Sequence, residues 1–458
     1  MRRLGLQQKW FAIGFCFLFL VEGPSIAADV KNPPLDTAAV ERGRDALLNH
    51  GYLKSAWGDD AYRRVGKVAW GPDAPDPDRE PEAYAAEFAR RYGLHTAPYP
   101  NDGLPMGLRK GKGPQGTKLG IQIDCMACHG GSIGGQTLPY LGNSTLDLRR
   151  LFTDLTRADG RVMPPTFFTI NSSRGTVNAG MFSVVLLSLR NTDLTKRIFP
   201  VVTGASLPEL DTPAWWHLKR KATMYQDGRT DARSVRTNMQ FMLGELTAQE
   251  FRDLEPTFRD IRDYLLSLEA PKYPFPIDQS RAARGSAIFQ ASCVKCHGTY
   301  GPDGKYPSKI VALDVVGTDP ARAKGLSDRF VAHYNATWFG EDYPVNELAE
   351  GYQAPPLDGL WATAPYLHNG SIPNIELLLK STDRPAKFRR PPSTDFVHFD
   401  QQRLGWKAEP APTAEAKTVD DPFLVDTSRF GMGNGGHTFG DKLTDGERQD
   451  LIEYLKTL

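Results

Sequence analysis

Two short clusters stand out for chemistry: Cys125-Met126-Ala127-Cys128-His129 and Cys293-Val294-Lys295-Cys296-His297. Each reads Cys-x-x-Cys-His, the pattern by which a c-type haem is attached. Two thiols at this spacing add to the two vinyl groups on one edge of a porphyrin. The adjacent imidazole is then carried under the iron as its proximal ligand. A four-cysteine zinc site would not require a histidine directly after each pair. A redox disulfide of the thioredoxin kind would need a βαβ context, which the surrounding sequence lacks. The fifth cysteine, Cys16, falls in the leader described below, so the two clusters use every remaining cysteine. The expected cofactors are two covalently bound c-type haems, each with an iron.

The elements that must carry these clusters repeat. Arg284-Gly285-Ser286-Ala287-Ile288-Phe289 precedes the second cluster, and Arg42-Gly43-Arg44-Asp45-Ala46-Leu47 stands early in the chain. Both have a helical pattern, and a glycine inside a helix costs about 1 kcal/mol against alanine. Its use in both copies predicts a close helix crossing. The partners are two further segments with apolar residues at i, i+3, i+4 and i+7: Ile261, Tyr264, Leu265 and Leu268, then Leu451, Tyr454, Leu455 and Leu458. Capping boxes precede them at Thr247/Glu250 and Thr444/Glu447, and Pro271 is expected to end the first. Each half reads as a helix, a Cys-x-x-Cys-His cluster, irregular chain and a closing helix, an arrangement that resembles the cytochrome c fold twice over.

The expected fold is mainly α with much irregular loop: two cytochrome c-like domains in tandem, the first with long insertions at 71–81 and 107–118. The 43 glycines and 35 prolines agree with many turns. A chain of 458 residues is long enough for several domains. The division is 1–27 as signal peptide, 28–271 as the first domain and 272–458 as the second, joined by the stiff segment Pro271-Lys272-Tyr273-Pro274-Phe275-Pro276. Arg2, Arg3 and Lys9 precede an apolar run at 10–21, with small residues before Ala27. That is the form of a cleavable leader too short to span a bilayer. The mature protein is expected in the periplasm or secreted, with no transmembrane span. A formal net charge of +1 points to neither nucleic acid nor an acidic membrane surface as partner.

The segment Ala364-Pro365-Tyr366-Leu367-His368-Asn369-Gly370-Ser371 resembles bacterial dihaem cytochromes, which include the dihaem cytochrome c peroxidases. Asp211-Thr212-Pro213-Ala214-Trp215-Trp216 and Gly433-Asn434-Gly435-Gly436-His437 are closer to the rubber oxygenase (RoxA-like) family. The resemblance implies a reactive N-terminal haem with His129 as proximal ligand. It implies a second haem held between His297 and His437. The chain is markedly shorter than the rubber-cleaving enzymes, and their polymer substrate is not carried over.

Among the nine histidines, His368 and His398 are the other candidate ligands, with Met432 as a thioether alternative to His437. The sixth position of the first haem has candidates in His217, Met224, Met239 and Met242. Trp215, Trp216, Tyr225 and Phe241 could instead line an apolar distal pocket, with Asp211 and Arg229 as nearby polar groups. The first functional expectation is a haem-dependent oxidoreductase of dioxygenase or peroxidase type, with a protein redox partner or a small oxidant. The alternatives are a pure electron carrier with two six-coordinate haems, or a cytochrome subunit of a periplasmic dehydrogenase.

Overall fold

The computed structural model describes residues 32–112, 119–162, 173–202, 207–244, 246–345, 350–412 and 421–458. The expected leader and residues 113–118 of the Gly/Lys-rich segment lie outside them. Among the described residues, no helix is long and apolar enough to cross a membrane.

Two helix pairs frame the molecule. The opening helix Thr37–Asn49 starts where the Asp36 carboxylate accepts the Ala38 N–H, and it buries Ala39, Gly43, Ala46, Leu47 and Leu48. Its partner is Ala248–Leu266, and both reciprocal bonds of the Thr247/Glu250 capping box are present. The second pair is Gln279–Ser292 against Asp445–Leu455, with the Thr444/Glu447 box also complete. A Cβ on Gly43 would stand 1.9 Å from the Asp260 carbonyl oxygen, and one on Gly285 would stand 1.9 Å from that of Asp450. Backbone therefore meets backbone at both crossings, as the helical glycines predicted.

The repeat goes further than the glycines. Arg42, just before Gly43, grips Asp260 through Nε and Nη2 at 2.7 and 2.9 Å. Arg284, just before Gly285, grips Asp450 through the same two nitrogens at 2.7 and 2.8 Å. In each pair the aspartate that offers its carbonyl to the glycine offers its carboxylate to the preceding arginine.

The closing helix of the first pair stops at Leu266, short of Pro271. Ser267 turns the chain, its N–H reaching the Asp263 and Tyr264 carbonyls and its hydroxyl donating to the Tyr264 carbonyl. Pro271 instead lies beyond it in irregular chain, where its carbonyl accepts Trp361 Nε1–H at 2.8 Å. The segment that follows is packed down: Tyr273 meets Trp361 edge-on, and Phe275 meets Phe396.

Short antiparallel strands supplement the helices, more of them than the mainly α expectation allowed. Trp57–Gly58, Leu119–Ile123 and Leu108–Lys112 form a three-stranded sheet. Gly130–Ile133 pairs with Gln136–Pro139 directly after the first cluster, and Ile310–Ala312 pairs with Gly351–Gln353. Strands of two to five residues are too short to display an alternating pattern.

The insertion before Cys125 builds a core together with residues that follow the first cluster. Pro81–Tyr92 places Tyr84, Phe88 and Tyr92 on one face, fully buried with Trp57, Leu108, Ile121, Leu151 and Leu155. Residues from the two halves also exchange. Phe330, Tyr334, Trp338 and Phe339 join the core around Phe251 and Phe258, while Ile133, Leu141 and Trp216 join the one around Trp361 and Leu451.

Candidate haem site

Each Cys-x-x-Cys-His cluster forms a single helical turn, Met126–His129 and Val294–His297. In the first, the Asp124 carboxylate accepts the Met126 N–H at 2.8 Å and is held in turn by Arg109. The second is reached without a break, because Gln279–Ser292 runs through Cys293 into the turn. All four cysteines are free thiols. Among the described residues, no three His, Cys, Asp or Glu side chains converge as a metal cluster. Neither a disulfide nor a four-cysteine zinc site is therefore assembled.

The two turns open onto one continuous, largely apolar cavity of about 1100 Å³, lined by Cys125, Cys128, His129, Cys293, Cys296, His297 and His437. This exceeds the usual size of a pocket for one small ligand. Cys125 is accessible only in the sense that it faces this interior space. Burial accordingly pushes the Cys125 and Cys128 thiols up to about 12 and Cys293 to about 11.

The histidines have the surroundings that metal-bound imidazoles show, with one ring nitrogen turned to a backbone carbonyl. His297 Nδ1 lies 2.9 Å from the Pro355 carbonyl oxygen. At His129 the Pro213 carbonyl stands near the ring without an aligned bond, and the buried Nδ1 has no hydrogen-bond partner. Burial pulls the His129 imidazole down to about 3, with Pro213 opposing, and lowers His297 with Pro355 opposing. Both shifts favour the neutral ring, the form that ligation requires.

The ring neighbours of the two histidines differ. The His437 ring centre lies 6.3 Å from that of His297, with the planes 62° apart. Two imidazole–metal bonds of about 2 Å, plus roughly 1 Å from each nitrogen to its ring centre, add to about 6 Å. His437 Nδ1 is buried without a partner. Its backbone is fixed: φ is +46°, and the N–H donates to the Val316 carbonyl at 2.6 Å. A Cβ on Gly436 would lie 2.2 Å from the Gly317 carbonyl carbon, so this glycine permits close approach. Arg384 holds the loop from below, donating to the carbonyls of Asn434, Gly436 and His437. At His129 the ring neighbour is Trp215, stacked at 4.0 Å and 18°. Trp215 is itself placed by its N–H bond to the Tyr140 carbonyl.

The remaining sequence candidates divide. Phe241 lines the cavity and stacks on Phe182 at 6.2 Å, and Met224, Met242, Tyr225, Asp211 and Arg229 also reach the wall. Trp216 does not. It is buried in the core around Trp361, with Nε1–H donating to the Asp358 carbonyl at 2.9 Å. His217 lines the cavity but spends Nε2 on that same carbonyl at 2.8 Å. His368 stacks on Tyr352 at 4.1 Å and keeps a buried Nε2 without a partner. Met239 is core, Met432 packs with Phe388 and Val425, and His398 sits in the short turn Phe396–His398. Sequence reasoning missed Arg384, Pro213 and Pro355. The two prolines act through carbonyls that any residue possesses.

His95 supports the first cluster from behind, with Nε2 2.8 Å from Thr145 Oγ1 and Nδ1 3.2 Å from Ser132 Oγ. Burial, reinforced by Arg174, pulls it to about 4, below the ordinary 6.5. The unfolded chain then takes up the proton first, so this contribution is complete above pH 6.5 and is lost as pH falls through about 4. His95→Gln is expected to make the fall in stability across that interval shallower by up to one proton, read from denaturant midpoints at several pH values. An unchanged slope would show that His95 contributes nothing to it.

A family model described as RoxA-like, cytochrome c-like, matches residues 351–389, which hold Tyr352, Pro355, His368 and Arg384. The uncharacterized protein y4iM of Sinorhizobium fredii is 30% identical over 239 residues, covering 43% of this chain and 53% of its own. The uncharacterized protein y4iJ of the same organism is 29% identical over 261 residues, 42% of this chain and 41% of its own. The chain spans about half the length of the curated relatives it matches. Among solved structures, a Kuenenia stuttgartiensis hydrazine synthase pressurised with xenon aligns over 65% of this chain and 98% of its own, at 12% identity and a TM-score of 0.22. The chain therefore carries a RoxA-like, cytochrome c-like segment at 351–389, which implies a c-type haem and a haem-binding redox function.

Proposed function

We propose that the chain is an exported c-type cytochrome with two covalently attached haems. Cys125, Cys128 and His129 hold the first in the unit 28–271. Cys293, Cys296 and His297 would hold the second in the unit 272–458, together with His437. The first is the site that reacts with oxygen or peroxide, and the second relays electrons from a protein redox partner. The leader at 1–27 directs the chain to the periplasm or beyond.

The asymmetry between the two histidines carries this reading. His297 faces a second imidazole at 6.3 Å, whereas the ring neighbour of His129 is a tryptophan. A haem held at His129 would supply redox chemistry toward small oxidants. The chain's own residues prepare that site. Trp215 fixes the His129 ring by stacking on it. Phe182 and Phe241 keep part of the wall apolar, which excludes water from the reacting face. Pro355 favours the His297 tautomer that presents Nε2 to a metal.

A pure electron carrier is the second reading, and one observation favours it. Met224 and Met242 line the same cavity, either of which would bring a thioether to the first iron. Visible and EPR spectra of the ferric protein with cyanide or imidazole separate the two. The reactive-site reading expects a high-spin component that turns low-spin on adding either ligand. Two low-spin signals that ignore both would overturn it in favour of the carrier.

A further inference from the structure

The ring that stacks on His129 begins a chain of aromatic contacts. Trp215 lies 4.0 Å from His129 with the planes 18° apart, and Tyr140 lies 6.2 Å from Trp215 at 24°. Tyr264 follows, its ring 5.5 Å from that of Tyr140 and nearly perpendicular at 86°. The two phenolic hydroxyls are hydrogen-bonded to each other at 2.5 Å. The backbone ties the same residues together. The Tyr140 N–H donates to the His129 carbonyl at 2.7 Å, and the Tyr140 carbonyl accepts the Trp215 N–H at 2.9 Å. His129 and Trp215 line the cavity, and the two tyrosines stand behind them.

Tyr140 is held in a strained conformation. Its φ is +76°, in the left-handed region that a residue with a Cβ rarely adopts. Such positions persist where the surroundings over-determine them, and they gather at functional sites. Here the surroundings are the bond to His129 and the bond from Trp215. Packing alone would be served by two phenylalanines. The hydroxyls add a path for a proton: one donates to the other, and Tyr140 is partly exposed while Tyr264 is buried.

Indole and phenol are the rings among protein side chains that most readily give up a single electron. A phenol that has lost one becomes strongly acidic and must shed its proton. A hydroxyl already bonded to a second hydroxyl has somewhere to send it, because each can both donate and accept. Ring-to-ring steps as short as these let an electron pass between them. At the second cluster the ring next to His437 is Phe439, which offers no such group.

We propose that Trp215, Tyr140 and Tyr264 form a relay that delivers an electron to the His129 site and leaves a radical on the tyrosine pair. This rests on the reading of that site as peroxide-reactive. Hydrogen peroxide takes up two electrons and two protons as its O–O bond breaks and two waters form. One electron comes from the iron and the other from the pair, by way of Trp215. The pair loses one electron and one proton, the proton leaving through the partly exposed Tyr140 hydroxyl, and peroxide draws its two protons from solvent.

The test is EPR of the full ferric protein, frozen rapidly after mixing with hydrogen peroxide. Attached haem is counted from the alkaline pyridine spectrum so that signals are compared per haem. The wild-type chain is expected to lose ferric signal and gain an organic radical, whose lines narrow when the protein is grown on ring-deuterated tyrosine. The Tyr140→Phe/Tyr264→Phe double variant keeps both rings and is expected to lose the radical while its ferric signal still responds. Tyr140→Phe alone cuts the path at the ring next to Trp215; it is expected to do the same, and it decides the matter if the double variant does not fold. A radical that survives these substitutions, or that tyrosine deuteration leaves unchanged, would overturn the relay. So would a ferric signal that falls in the wild-type chain with no radical, and both results would leave the peroxide-reactive reading standing. Ferric signals that ignore peroxide altogether would instead defeat that reading, and the relay with it.

Discussion

Replacing His437 by alanine is expected to convert the haem held by His297 from low-spin to high-spin, leaving the signal of the other haem as it was. The argument starts from the backbone. The loop carrying His437 is anchored by its own N–H on Val316, by the close approach of Gly436 to Gly317, and by Arg384 beneath three of its carbonyls. None of these contacts uses the imidazole, so truncation empties the space above His297 without moving the loop. A cavity shaped for an imidazole should then accept one from solution. Added imidazole is expected to restore the low-spin signal at far lower concentration than in a His297 site that had never held one. EPR of the ferric variant checks both steps. A low-spin signal that survives the substitution would remove His437 from the iron and return Met432 or His368 to consideration. Met432 would have to leave its contacts with Phe388 and Val425 to reach it.

What the sequence makes legible here is chemistry with a fixed local spacing. Cys-x-x-Cys-His is one helical turn, and it folds as one. The capping boxes and the two helical glycines are equally local, and their partners could be inferred because the pattern occurs twice. Long-range pairings were opaque. Nothing local to Arg42 or Arg284 names a partner, and only the structure brings each to the aspartate across its crossing. The same holds for Arg322 and Asp227, 95 residues apart in sequence. Trp215 and Trp216 show the limit most sharply. Adjacent aromatic residues on a short 3-10 turn, Trp215–Arg220, point in different directions, one onto His129 and the other into the core. No periodicity distinguishes them. In the insertion before Cys125, Tyr84, Phe88 and Tyr92 recur at four-residue spacing, the signature of a buried helical face, and that signal went unread among the loops expected there.

The helix crossings give the largest expected effect on stability, and the sign of the effect is diagnostic. In an exposed helix, Gly→Ala is stabilising by up to about 1 kcal/mol, because alanine loses less backbone freedom on folding. Gly446, in the first turn of Asp445–Leu455, has nothing within 4 Å of where its Cβ would stand, so Gly446→Ala should follow that rule. Gly285, on the helix that packs against it, should reverse it. There a Cβ would meet the Asp450 carbonyl oxygen at 1.9 Å and its carbon at 2.5 Å, both backbone atoms that cannot rotate away. The helices must separate, which strains the Arg284–Asp450 bonds and opens the packing around Phe289, Leu451 and Ile452. Overpacking of this kind costs about 2–3 kcal/mol. Gly43→Ala should behave alike at the first crossing, where the Asp260 carbonyl stands at the same distance. Denaturant midpoints of the three variants measure the difference directly. If Gly285→Ala and Gly446→Ala shifted stability in the same direction, the close crossing would not be the reason a glycine stands there. The helix Gln279–Ser292 leads straight into Cys293, so its displacement also moves the second Cys-x-x-Cys-His turn. A change in the visible spectrum that accompanies Gly285→Ala but not Gly446→Ala would tie the packing of the crossing to the geometry of the site it carries.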